Sequence, residues 1–226
     1  TLWGWGNNNF GQLGLGNTTS YSSPKQVGTL TNWVSISADS NHTLTTKTDG
    51  TLWSWGRNNL GQLGTGDTFT RSSPTQIGFS SWSQIGAGQV HSAAIRTDGG
   101  LFNWGANTYG MVTMFPKSWT QIASTGSHTI AIRNDGALFG WGLNPSGILG
   151  NVVQALVPVQ LGTSSWTIIS TSSTGSHAMA IDVLGNLNVW GNNNNYQLGI
   201  SNPTLLYTYM ASGSNLNPMT YQFAGI

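Results

Sequence analysis

Four landmarks return along this chain in fixed phase, and that repetition limits the fold more than any other feature. Trp-Gly stands at Trp5, Trp55, Trp104, Trp141 and Trp190, with spacings of 50, 49, 37 and 49 residues. His42, His91, His128 and His177 each lie 13 residues before the next Trp-Gly. A second tryptophan set, Trp33, Trp82, Trp119 and Trp166, precedes the histidines by 9, 9, 9 and 11 residues. Between histidine and Trp-Gly comes Asp49-Gly50, Asp98-Gly99 or Asp135-Gly136, and in the fourth copy Leu184-Gly185. A chain built this way is an array of like units, each a strand, a tight turn and a strand.

The segment after each histidine alternates with period two. Leu44, Ile95, Ile132 and Ile181 occupy apolar positions, while Ala94, Ala131 and Ala180 keep the other face small. Both faces are therefore apolar, as a sheet packed between two others requires. Helices are not expected: Glu is absent, all six acidic residues are Asp, and 31 Gly with many Asn favour turns. The expected core places Trp55, Trp104, Trp141 and Trp190 in equivalent buried sites, with Ile95, Ile132 and Ile181.

Length varies only after Trp-Gly. The arms there read Asn7-Asn8-Asn9-Phe10, Arg57-Asn58-Asn59-Leu60 and Asn192-Asn193-Asn194-Asn195-Tyr196, each followed within one residue by Gln-Leu-Gly. The third arm, with Asn107, Thr108 and Tyr109, has lost about a dozen residues and that Gln-Leu-Gly element. A constant hairpin beside a variable, aromatic-bearing arm suits a binding scaffold. These sixteen residues are the candidate binding site. A competing role for the arms is to brace neighbouring units, with Leu13 and Leu63 packed inward.

Trp-Gly-x-Asn-x-x-Gly-Gln-Leu-Gly, then Ser-Pro-x-Gln-apolar-Gly, Trp-x-x-Ile, His-Thr/Ser and Asp-Gly resemble the RCC1 (regulator of chromosome condensation) repeat, most clearly over residues 11–28 and 61–78. The resemblance runs over about residues 1–200. It implies an all-β propeller with four-stranded blades of about fifty residues, normally seven to a ring. Four full repeats with partial flanking ones imply an incomplete or small ring, either a piece of a longer chain or a ring closed by pairing its ends. One domain over residues 1–226 is expected, with repeats at about 1–32 (partial), 33–81, 82–118, 119–165 and 166–212, and residues 213–226 opening a further blade or closing the ring. The ultraviolet receptors of the family carry a Gly-Trp-Arg-His-Thr pattern. Here Ser40-Asn41, Gln89-Val90, Gly126-Ser127 and Gly175-Ser176 precede the histidines, which argues against that activity.

Catalysis is not expected. Three of the six Asp are turn residues, leaving Asp39, Asp67 and Asp182 without a Glu to complete an acid–base pair. The four histidines share one repeat position and read as structural, since a site on a repeat scaffold ordinarily breaks the repeat. No metal and no cofactor is expected. Seven Lys and Arg, scattered, and a net charge of +1 give no phosphate-binding stripe, so no nucleic-acid partner is expected. No apolar run is long enough for membrane insertion. The expected function is a non-catalytic binding or structural module of a secreted, cell-surface or virion protein such as a phage tail or decoration protein. Its partner would be a protein, a surface glycan or another virion or surface subunit, at an extracellular or virion surface. The alternative is an intracellular RCC1-type regulator, exchange-factor-like or chromatin-associated.

Overall fold

A computed structural model describes residues 1–39, 41–107, 114–115, 118–150, 152–172 and 174–199. Among these, every regular element is a β-strand, and the strands form five antiparallel sheets in chain order. Sheet I contains β1 (Trp3–Gly6) and β2 (Tyr21–Gln26). Sheet II contains β3 (Trp33–Ala38), β4 (His42–Lys47), β5 (Leu52–Gly56) and β6 (Arg71–Ile77). Sheet III contains β7 (Trp82–Ala87), β8 (His91–Arg96), β9 (Leu101–Gly105) and β10 (Met114–Phe115). Sheet IV contains β11 (Trp119–Ser124), β12 (His128–Arg133), β13 (Leu138–Leu143) and β14 (Gln154–Gln160). Sheet V contains β15 (Trp166–Thr171), β16 (His177–Asp182) and β17 (Leu187–Gly191).

Each histidine opens the second strand of its sheet and lies opposite the glycine of Trp-Gly, as in the pairs His42–Gly56, His91–Gly105, His128–Gly142 and His177–Gly191. The hairpin between them closes as the sequence predicts. The Gly50 N–H donates to the Lys47 carbonyl at 2.9 Å, and the Lys47 N–H donates to Thr51 at 3.0 Å. Gly50 sits at φ +79°, which a glycine adopts without steric cost. Leu184-Gly185 keeps the same turn, with Asp182 accepting the Leu184 and Asn186 N–H groups at 2.9 Å.

The first strands of sheets III, IV and V each pack on the first two strands of the sheet before, which stacks these sheets like blades around an axis. Strands β3, β7, β11 and β15 line that axis, where Ser37, Asp39, Ser124 and Thr171 border a cavity of about 280 Å3. The fold is a β-propeller of four-stranded blades, and among the described residues the ring is not closed.

The core lies between sheets rather than within one. Trp55, Trp141 and Trp190 are fully buried with Leu44, Leu52, Ile95, Leu101, Ile130 and Leu138. Trp33 meets Trp55 and Trp53 edge-on at centroid distances of 6.2 and 6.0 Å, and Trp82, Trp119 and Trp166 repeat that contact. Lys47 lies 3.4 Å from the Trp53 ring centroid, and Arg96 and Arg133 lie over Phe102 and Phe139. Two core expectations are corrected in part. Trp104 is only half-buried, although Gln62 of the preceding arm still receives its indole N–H. Ile181 is half-buried because sheet V has a neighbour on one side only among the described residues.

Candidate functional site

The arms after Trp-Gly leave the same rim of the sheets as the histidine strands, since His42 and Gly56 are paired. The Asp-Gly turns lie at the opposite rim, so successive arms gather on one side. In four of the five arms the Asn three residues after the Trp of Trp-Gly is a buried keystone, and Asn107 of the shortened arm is exposed. The Asn58 side chain donates from Nδ2 to the carbonyls of Asp67 at 2.9 Å and Phe69 at 3.2 Å. Its Oδ1 accepts the Leu63 N–H at 2.8 Å. Asn8 does the same with Asn17, Thr19 and Leu13, and Asn144 with Gly150, Val152 and Leu149. Asn193 accepts the Leu198 N–H at 2.9 Å. A buried amide supplies two donors and an acceptor at one point, enough to hold a loop closed on itself.

The Gln-Leu element then reaches across to the next sheet. The Gln12 carbonyl accepts the Trp55 indole N–H at 2.8 Å and the Thr43 hydroxyl at 2.9 Å. Gln62 repeats this with Trp104 at 2.9 Å and Ser92 at 2.7 Å, and Ile148 with Trp190 at 2.9 Å. The approach is close enough to demand glycine. A Cβ on Gly14 would lie 2.8 Å from Trp55 Nε1, and one on Gly64 would lie 2.7 Å from Trp104 Nε1. Sheet IV follows the arm that lost its Gln-Leu-Gly, and the buried Trp141 indole N–H has no partner among the described residues. Bracing is therefore a property of the arms, by their buried half.

The other half faces solvent. Asn7, Asn9, Asn59, Leu60, Asn107, Asn194, Asn195 and Tyr196 are exposed, while Phe10, Arg57 and Asn192 are half-buried. Arg57 lies 4.9 Å from the Phe10 ring centroid, so the first two arms share one surface. Thr108 and Tyr109 lie outside the described residues. Thus Asn8, Asn58 and Asn193 are held inside the arms, and the remaining described candidates lie at or near the rim. Sequence reasoning missed Phe69, exposed at the crest of the second arm. Its signal was Asp67, four residues before Arg71: Asp67 accepts the Phe69 N–H at 2.9 Å and pairs with Arg71 at 2.7 Å, presenting the ring between them.

Tyr196 departs from the other arms. Its backbone takes φ +58°, where Gly11, Gly61 and Gly147 have +74°, +78° and +71°. An aromatic residue in the left-handed region costs backbone energy that glycine avoids. The ring is nonetheless exposed.

The histidines link sheets. His42 Nε2 lies 2.8 Å from Ser92 Oγ and His91 Nε2 lies 2.9 Å from Thr129 Oγ1. Burial pushes His42 and His128 down to about 4 and His91 to about 3, His91 also feeling the other two. All three are neutral at pH 7, spaced one per interface, and among the described residues no three His, Cys, Asp or Glu gather as metal ligands would. The carboxylates of Asp49, Asp67, Asp98, Asp135 and Asp182 are engaged by turn N–H groups or by Arg.

Two family models described as "Regulator of chromosome condensation (RCC1) repeat" match the sequence, one over residues 1–45 and 49–95 and the other over 33–62 and 119–148. No curated protein matches the chain. Among solved structures, human WBSCR16 is 26% identical with a TM-score of 0.79, over 92% of this chain and 61% of that one. Prp20p from Saccharomyces cerevisiae, described with its binding properties to Gsp1p and histones, is 24% identical with a TM-score of 0.77, over 92% and 57%. Yeast RCC1 (Prp20) bound to Kap60 matches at 23% identity with a TM-score of 0.70, over 85% and 52%. The chain spans about three-fifths of the length of the first two.

Proposed function

Because this chain belongs to the RCC1 repeat family, we propose that it is a non-catalytic binding propeller whose partner is met by the exposed half of the arms. The observation that carries this is Tyr196. A strained, solvent-facing aromatic persists where the other arms use glycine, and strain of that kind is retained at sites where the side chain has work to do. Phe10, Arg57, Leu60 and Phe69 extend the same rim with rings and a stacked cation among amides. Such a surface takes a polar peptide, or the ring of a surface glycan against an aromatic face. An almost uncharged chain, 6% charged residues, fits an extracellular or virion surface protein better than a partner steered by electrostatics.

A second reading is an intracellular regulator. It is favoured by the fold likeness to Prp20p, whose binding to Gsp1p and histones is a property of that protein. The two readings differ in salt dependence. Binding of basic histones or of a GTPase would weaken steeply with ionic strength, whereas ring-and-amide contacts would hold.

The test is Tyr196→Gly. The variant should gain on the order of 1 kcal/mol of stability by relieving the left-handed backbone, while retention on immobilised surface glycans or surface proteins falls. Unchanged retention together with raised stability would show that the ring is only strained and that binding resides elsewhere.

A further inference from the structure

All four arginines of the chain lie over an aromatic ring, and three of them carry a carboxylate of their own. Arg96 stands 4.7 Å from the Phe102 ring centroid and donates to Asp98 from Nε at 3.2 Å and from Nη2 at 2.7 Å. Arg133 stands 4.8 Å from Phe139 and donates to Asp135 from the same two nitrogens. Arg71 lies 6.0 Å from Phe69 and pairs with Asp67 at 2.7 Å. Arg57 has the ring, Phe10 at 4.9 Å, and no carboxylate. Asn59 stands two residues on, where Arg96 and Arg133 have Asp98 and Asp135. Among the described residues the Arg57 guanidinium makes no hydrogen bond or ion pair. Only its backbone is tied, the N–H donating to the Asn41 carbonyl at 2.8 Å.

This pair breaks the repeat at both of its members. The residue after Trp-Gly is Asn7, Arg57, Ala106, Leu143 or Asn192, and only the second arm puts a charge there. The residue two places after the keystone amide is Phe10, Leu60, Ser146 or Asn195, and only the first arm puts a ring there. Two departures in different arms therefore meet in space. Bracing does not call for them, since the keystone amides and the Gln12 contacts already hold these arms. Both arms are described in full, residues 7–20 and 57–70, and Phe10 and Arg57 are half-buried. The ring supports one face of a guanidinium whose N–H groups are unmatched.

We propose that Arg57, supported by Phe10, is a carboxylate-binding site and that its ligand is an acidic sugar of a surface glycan, which rests on reading the arms as the binding rim. The chain's own pairs supply the pose: carboxylate oxygens on Nε and Nη2, with an aromatic ring against the guanidinium. A hexuronate joins that carboxylate to several hydroxyls on one ring. The exposed amides of Asn9 and Asn59, next to Phe10 and two residues from Arg57, each offer a donor and an acceptor. A peptide carboxylate suits the place less well. It brings backbone N–H and C=O groups that a strand edge has to match, and residues 7–20 and 57–70 contain no strand. One ion pair adds only a shallow salt dependence, unlike the many charges of a histone or GTPase contact.

The test uses the full chain and two probes, a trimer of galacturonic acid and its methyl ester, in titration calorimetry. The acid should bind on the order of tenfold more tightly, the effect of one charge-assisted bidentate pair. Arg57→Gln should erase that preference. Arg57→Lys should keep only part of it, since a point charge lacks the planar fork that engages both oxygens. Thermal unfolding checks that both variants, altered at a half-buried rim side chain, keep the fold. The inference is overturned if acid and ester bind alike, if neither binds, or if Arg57→Gln retains the preference. A triglutamate peptide binding as tightly as the acidic sugar would overturn it as well. The reading of the arms as a rim fails by a different result, unchanged retention of Tyr196→Gly. Retention lost in Tyr196→Gly with no preference for the acid would strike only the carboxylate site.

Discussion

A buried imidazole between two sheets has to give a proton to one side, and the hydrogen bonds here say which. Ser92 donates its hydroxyl proton to the Gln62 carbonyl, so it accepts from His42, which therefore carries its proton on Nε2. Ala178 breaks the series. It stands where Ser92 and Thr129 stand in their sheets, and both nitrogens of the buried His128 are without a partner among the described residues. Ala178→Ser should restore the bond and raise stability by about 1 kcal/mol, read from the urea midpoint at unchanged slope. A destabilised variant would mean that the site has no room for the hydroxyl. The same imidazoles predict acid sensitivity. In the unfolded chain they titrate near 6.5, but in the fold His42 and His128 are held to about 4 and His91 to about 3. Between those limits the unfolded chain binds more protons, so stability is full above about pH 6.5 and falls as the pH drops toward 4. Each buried histidine contributes on the order of 3 kcal/mol to that loss. Urea midpoints that stay level from pH 7 to pH 4 would show that the histidines are protonated in place.

Trp-Gly strand and arm work as one element: the strand buries the indole, and the preceding arm receives its N–H. Trp55→Ala should therefore cost about 3–5 kcal/mol, with the smaller loss at the half-buried Trp104. Asn58→Ala should cost about 1–3 kcal/mol, because the carbonyls of Asp67 and Phe69 and the Leu63 N–H all lose their partner. Equal losses at Trp55 and Trp104, or none at Asn58, would contradict this division of roles in chemical denaturation. The hairpin was legible in the sequence because its 13-residue phase never varies and its turn must be filled by glycine. The arm was legible only as a whole. In Asn7-Asn8-Asn9 nothing local separates the buried middle amide from its exposed neighbours. The distinction comes from Leu13, five residues on, whose N–H closes on Asn8. The strain at Tyr196 was hidden for a related reason. Its left-handed backbone is evident only once the Gln-Leu-Gly segments are aligned and tyrosine falls where glycine belongs.

At the scale of the molecule, each sheet touches only its neighbours, so stability is close to a sum over interfaces and the ends have fewer of them. Strands β4, β8 and β12 are the most enclosed, with nearly every residue buried. Sheet I exposes Trp3 and Trp5. Sheet V exposes Met179 and Leu187, whose counterparts Leu44 and Leu52 are fully buried. The interface between sheets IV and V is weaker again, since Ala178 gives His128 no hydroxyl. Hydrogen exchange should therefore be slowest in β4, β8 and β12 and fastest in β1, β2 and β15 to β17, a gradient set by interface number rather than by strand length. It should also be directional. Ala178→Ser strengthens the IV–V interface and should slow exchange in β15 to β17 while leaving β1 and β2 unchanged. Uniform protection across all five sheets would mean that both ends are covered in solution, and that the array behaves as a closed cooperative ring.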